Sequence, residues 1–160
     1  MLRIRRWWRS HLAKRRNVLS AMGNEKLMED LFAAVAVGDR AAYSESLADD
    51  VTMRVTGRNS WSRTFHGKAS LVRDLYGHLN TLLADGKRTV PLRLIADGDH
   101  VVVEACGDMV TKAGLRYENE YCLVYRLECG KIVEIREYRD SALCEAVLGV
   151  FPAAGTQTAI

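Results

Sequence analysis

The sequence predicts an α+β domain in which a curved antiparallel sheet wraps around helices that come first in the chain. Three observations carry this. Between residues 25 and 84 apolar side chains recur mostly at helical spacing, from Thr89 onward strand alternation takes over, and Arg116 to Asp140 forms two long alternating runs joined at Cys129-Gly130. Helices gathered at the start and strands at the end argue against a parallel sheet with helical crossovers. A chain of 160 residues suffices for one core and is short for two, so a single domain is expected over residues 22–150.

The opening residues 1–21 stand apart. They hold seven of the 23 basic residues and no acid, which leaves 16 bases against 20 acids in the rest of the chain, a body of formal charge −4. Interleaved Arg and Trp in MLRIRRWWRSHLAKRRNVLSA suit contact with nucleic acid or an anionic surface. The preferred reading is simpler: a disordered, solvated extension, or translation that begins at Met22, with an ordinary domain start directly after it. Residues 151–160 read as a loose tail. No apolar run reaches the roughly 18 residues of a membrane span, and the four cysteines show neither metal-ligand spacing nor a disulfide framework. These features predict a cytoplasmic protein with reduced thiols, no metal and no cofactor.

The elements follow in order. From Glu25 to Val37, Leu27, Leu31, Ala34 and Val35 share a helical face, with Asn24 as N-cap and Gly38 as stop. Asp39 caps a second, short helix with Tyr43 and Leu47 on one side, before a break at Asp49-Asp50. Val51, Met53 and Val55 then lie on one face of a strand. The turn-rich segment GRNSWSRTFHG, residues 57–67, puts Trp61 either at a cavity mouth or under its own loop. Ala69 to Ala84 carries the stripe Leu71, Leu75, Leu79 and Leu82, and Asp85-Gly86 ends it. Strands at Val90–Ile95 and Val101–Asp108 join the final hairpin in a meander, and Ser141 to Leu148 closes the domain as a helix.

Counting back from the turn sets a register for the hairpin. With Glu128 opposite Lys131, Leu127 faces Ile132, Tyr125 faces Glu134, Leu123 faces Arg136, Tyr121 faces Tyr138 and Asn119 faces Asp140. That face is apolar near the turn, interrupted by Glu134 and Arg136, and polar at its open end, which is the layout of a pocket floor for a small hydrophobic ligand. Asp140 is the candidate general base, with Asn119 and Tyr138 to orient it or donate to a developing oxyanion. Tyr121, Tyr43, Trp61 and Met53 are candidates to contact the ligand. The bland alternative is that Asp140 caps the closing helix and Asn119 satisfies the strand end. The same count places Cys122, Val124, Val133 and Ile135 on the outer face, where a second copy of the sheet is the simplest cover, so a homodimer is expected.

LFAAVAVGD, SLADDV, HGKASLVRDLY, ADGDHVVVEACG and above all YENEYCLVYRLECGKIVEIREYRD resemble, in order and over about residues 24–150, the nuclear transport factor 2-like or SnoaL-like superfamily. The resemblance implies a cone-shaped fold with an internal pocket and, in some relatives, isomerase, cyclase or epoxide-hydrolase chemistry; others only bind. Steroid isomerases of this fold place acids where this chain has Val55 and Leu123. Limonene-epoxide hydrolases place an Arg and an Asp at what are here Ala105 and Gly107, and a further Asp that Asp140 matches. Polyketide cyclases of the SnoaL type have a late Asp that Asp140 also resembles. What the resemblance implies is therefore a cofactor-independent isomerase, cyclase or hydrolase acting through Asp140, or a binding or dimeric interaction module without turnover.

Overall fold

The structure, a computed structural model, describes residues 20–152. The basic arm and the tail expected at the two ends fall almost wholly outside the described residues. Helix α1 occupies residues 20–36 and buries Met28, Leu31 and Phe32. It is already under way at Asn24, so that residue is not its cap; the Asn24 amide instead donates to the Gly98 carbonyl at 2.9 Å, tying α1 to a sheet turn. Gly38 ends the segment with a φ of 94°, a value that suits glycine. Asp39 caps α2 (Arg40–Ser46) by accepting from the Ala42 amide.

Strand β1 (Leu47–Val55) begins where α2 stops, earlier than Val51, because an irregularity between Leu47 and Thr52 carries the strand through Asp49-Asp50. It pairs with β2 (Thr64–His66). A helical rod follows, built of α3 (Lys68–Ser70), a π-helical stretch Leu71–Tyr76 and α4 (Gly77–Leu82), with Leu71 and Leu75 buried. The wider π turn departs from the plain α-helix that the leucine stripe predicts.

The remaining strands are β3 (Arg88–Asp97), β4 (His100–Val110), the short β5 (Arg116–Tyr117), β6 (Glu120–Glu128) and β7 (Lys131–Arg139), and α5 (Ser141–Leu148) ends the domain. The sheet order is β2-β1-β7-β6-β4-β3, with β5 on β4. The expected meander is there. All pairs are antiparallel except β1 with β7, which run parallel and join the early part of the chain to the late part. The turn between β6 and β7 has both central residues at positive φ, Cys129 at 49° and Gly130 at 74°, as a tight hairpin with right-handed strand twist requires.

The register set at that turn does not persist. Leu127 pairs with Ile132, but Arg126 pairs with Glu134, so Val133 is an extra residue, a bulge. Beyond it every partner moves by one: Tyr125 faces Ile135, Leu123 faces Glu137, Cys122 faces Tyr138 and Tyr121 faces Arg139. This corrects the register counted from the turn. Ile135, Glu137 and Arg139 turn inward; Glu134, Arg136 and Tyr138 turn outward.

Among the described residues no helix is long and apolar enough to cross a membrane, and no cluster of three or more His, Cys, Asp or Glu is placed to hold a metal ion.

Candidate functional site

The concave side of the sheet, α2 and the rod through α4 surround a cavity of about 360 Å³. The rod supplies Leu75, Tyr76 and Leu79, α2 supplies Tyr43, and the sheet supplies Met53, Met109, Leu123 and Ile135. Strand alternation brings these side chains to one face, and burial of that face is what holds the sheet against the helices. Tyr117, Tyr121 and Tyr125 add three phenols from the sheet side.

Into this apolar setting β7 sends Glu137 and Arg139. Their side chains are 12% and 4% exposed, and Arg139 Nη1 lies 2.9 Å from Glu137 Oε1. The contact is an ion pair out of line for a hydrogen bond. Glu137 Oε1 and the Nε and Nη2 of Arg139 have no hydrogen-bond partner among the described residues. Burial pushes the Glu137 carboxyl above the ordinary carboxylate value, and the Arg139 charge only partly reverses this. For Arg139 burial acts against the charge but is outweighed, chiefly by Glu137, so the guanidinium is held charged.

The phenols are neutral donors. Tyr43 and Tyr76 share a hydroxyl–hydroxyl hydrogen bond of 2.9 Å, with their rings edge to face, and the Tyr76 hydroxyl also reaches the sulfur of Met53 at 3.9 Å. Burial pushes Tyr43 up to about 12. Burial likewise raises Tyr117, Tyr121 and Tyr125, and for Tyr121 the neighbouring Tyr117 and Glu137 add to it.

Of the residues proposed from sequence, Tyr43, Met53 and Tyr121 line the cavity. The other four do not. Tyr138 is turned to the outer face and is 44% exposed, because the bulge reverses its side of the sheet. Asp140 spends its carboxylate on the start of α5, accepting from the Ala142 and Leu143 amides at 2.9 and 3.0 Å. Asn119 is fully buried as a clamp between strand ends: its amide donates to the Asp140 carbonyl at 2.8 Å and to the Tyr117 hydroxyl at 3.1 Å, while its oxygen accepts from the Asp140 N–H at 2.9 Å. Trp61 packs under its own loop, 1% exposed, with its indole N–H donating to the Gly149 carbonyl and its ring against Phe151. Phe151 is thereby docked, which corrects the loose tail expected from residue 151 onward.

Sequence reasoning missed Glu137 and Arg139. A signal was present. Ile132, Val133 and Ile135 cannot all belong to one phase of a strand, and a phase break between two inward isoleucines marks a bulge.

The SnoaL-like domain model matches residues 28–135. An NTF2-like protein of unknown function from Burkholderia pseudomallei superposes with a TM-score of 0.68 at 21% identity, over 78% of this chain and 96% of that one. TerC, co-crystallised with polyporic acid, gives 0.65 at 19% identity, over 77% and 95%. A protein with a ketosteroid isomerase-like fold from Catenulispora acidiphila, in complex with trimethylamine, gives 0.62 at 16%, over 78% and 92%. At these identities the likeness shows the fold alone. No curated protein matches the sequence.

Proposed function

This chain belongs to the SnoaL-like domain family, and from that premise we propose that it binds a small, mainly apolar carbonyl compound in the cavity and moves a proton on it through Glu137. The observation that carries the reading is the Glu137–Arg139 pair: a buried carboxylate raised by its surroundings, beside a fixed cation, both with polar atoms left without hydrogen-bond partners among the described residues. A ligand oxygen against Arg139 would supply the missing acceptor. TerC, which shares the fold, is co-crystallised with polyporic acid, and this supports a small organic guest.

The chemistry follows from the groups present. Glu137 as carboxylate removes a proton from carbon next to the carbonyl, and the electron pair moves onto the carbonyl oxygen. Arg139 and the Tyr121 hydroxyl stabilise that oxyanion. Glu137 then returns the proton at another carbon, which isomerises the substrate, or the carbanion closes a ring onto a second carbonyl and the proton goes to the new alkoxide. Burial serves this role by making the carboxylate a stronger base than in water.

Asp140, the base expected from sequence, keeps a place only as helix cap in this reading. The test compares Glu137→Gln with Asp140→Ala in a screen of cyclic ketones and hydroxyquinones, following ligand-induced thermal stabilisation and conversion of the compound separately. Conversion that survives Asp140→Ala and disappears in Glu137→Gln, with stabilisation kept in both, is the expected result. Stabilisation without conversion in the native protein would leave a binding module in place of an enzyme, and conversion lost only with Asp140 would return the base to that residue.

A further inference from the structure

The charges around the cavity are not balanced. Its lining holds four cationic side chains, Arg40, Lys87, Arg88 and Arg139, and one acid, Glu137. Two of the four are neutralised within the fold: Arg139 by Glu137 and Arg88 by Asp108. Arg40 and Lys87 make no ion pair among the described residues.

These two come from different elements. Arg40 opens α2, and Lys87 lies in the connection from α4 into β3. Both line the same cavity as Thr89 and Asn80, and these four are exposed or half-buried, whereas Tyr121, Leu123, Tyr125 and Ile135 of the same lining are buried. Arg40 is exposed and Lys87 half-buried. Their fields overlap. Lys87 has its pKa lowered first by burial and then by Arg40, with Lys112 acting in the same sense and Asp85 opposing it. Lys112 is itself turned to the Asn80 carbonyl, donating at 2.9 Å. Like charges brought together at the edge of an apolar cavity, with Asp85 opposing Arg40 and Lys112 at Lys87, form a field that an incoming anion relieves.

We propose that the guest of this cavity is an amphipathic carboxylate, its apolar body inside and its carboxylate held at the mouth between Arg40 and Lys87. The inference rests on the reading of the cavity as a ligand site and adds the charge class of the ligand. Glu137 at the depth and the cationic pair at the rim then fix the direction of entry: the reacting carbonyl goes in first and the acid group stays nearest the solvent.

Three probes of equal chain length separate the two readings: decanoate, methyl decanoate and decylammonium, titrated calorimetrically into the full chain, Arg40→Gln/Lys87→Gln, Arg139→Gln and, as an outer-face control, Arg93→Gln. Decanoate is expected to bind about tenfold tighter than the ester, and that preference is expected to shrink to within about threefold in the Arg40→Gln/Lys87→Gln variant and at high salt, with Arg93→Gln unchanged. Equal binding of acid and ester overturns the rim inference and leaves the cavity reading standing. A preference that survives the double variant and disappears in Arg139→Gln moves the carboxylate to the depth and also overturns it. Binding of none of the three probes removes the cavity reading and the rim inference together.

Discussion

Glu137 and Arg139 stand two residues apart on one strand, on the same cavity side, with Nη1 2.9 Å from Oε1, while Tyr138 between them is turned outward. Ion pairs two residues apart recur along these strands, as in Arg116–Glu118 and Arg126–Glu128, but those are at least partly exposed, whereas Glu137 and Arg139 are buried and misaligned for a hydrogen bond. It is an electrostatic contact within an apolar wall, with polar capacity to spare.

The first expectation concerns stability. Glu137→Leu leaves the Arg139 charge buried without its partner and is expected to cost about 3–5 kcal/mol. Glu137→Leu/Arg139→Met removes both charges from the same wall and is expected to recover most of that loss. Urea unfolding of the three proteins measures it, and additive losses in the double variant would contradict the pairing.

Acidity gives a second. The Glu137 pKa is raised in the folded state from its ordinary value of 4.5, so the folded protein binds this proton more tightly than the unfolded chain does. The sign follows: as pH rises from the unfolded value through the folded one, ionisation of Glu137 costs stability, and the cost is fully present above the folded pKa. In Glu137→Gln that loss is absent. Stability measured as a function of pH from about 4 upward should therefore fall more steeply, or rise less, in the native protein than in the variant.

The strand-end clamp and the helix cap are separable. Asn119→Ala strips three hydrogen bonds at a fully buried point, leaving the Asp140 N–H and carbonyl without those partners, and is expected to cost about 2–4 kcal/mol. Asp140→Ala removes only the cap on α5 and is expected to cost about 1 kcal/mol, while Asp140→Asn, itself a good cap, is expected to be close to neutral. Thermal unfolding ranks the three, and a larger loss for Asp140→Asn than for Asn119→Ala would refute the assignment.

The phenol pair has an optical signature. Tyr43, pushed up to about 12 by burial and linked to Tyr76, should ionise well after an exposed tyrosine. Subtracting the ultraviolet pH titration of Tyr43→Phe from that of the native protein isolates it. The same substitution is expected to cost about 1 kcal/mol through the lost hydroxyl contact.

Much of the fold is legible in the sequence because it rests on periodicity. The alternating residues of β4 and β6 repeat a single rule, and the structure keeps it: Tyr121, Leu123, Tyr125 and Leu127 are all buried. The site is less legible because it depends on phase. One inserted residue, Val133, leaves the composition of β7 unchanged and exchanges its two faces, so Tyr138 goes out while Glu137 and Arg139 come in. Tyr43, Met53 and Tyr121 were found because no irregularity separates them from the pattern that placed them. Trp61 and Asp140 show a different limit. A large ring in a loop and a carboxylate before a helix each suit two environments, and only the packing of Phe151 on Trp61 and the amides of α5 on Asp140 decide between them.

The parallel junction of β1 with β7 bears on how the chain acquires its shape. Met53 and Ile135 are neighbours in the sheet although some eighty residues separate them along the chain. During synthesis β1 and β2 emerge long before the strand that must lie beside them, and the edge of β1 stays open until β7 arrives. Contacts so distant in sequence are slow to close, so the last strand of the sheet acts as the keystone of the assembly. It is also the strand that bears Glu137 and Arg139. The groups proposed to do chemistry are thus installed at the step that completes the domain, and a half-made chain has neither the cavity nor its charges.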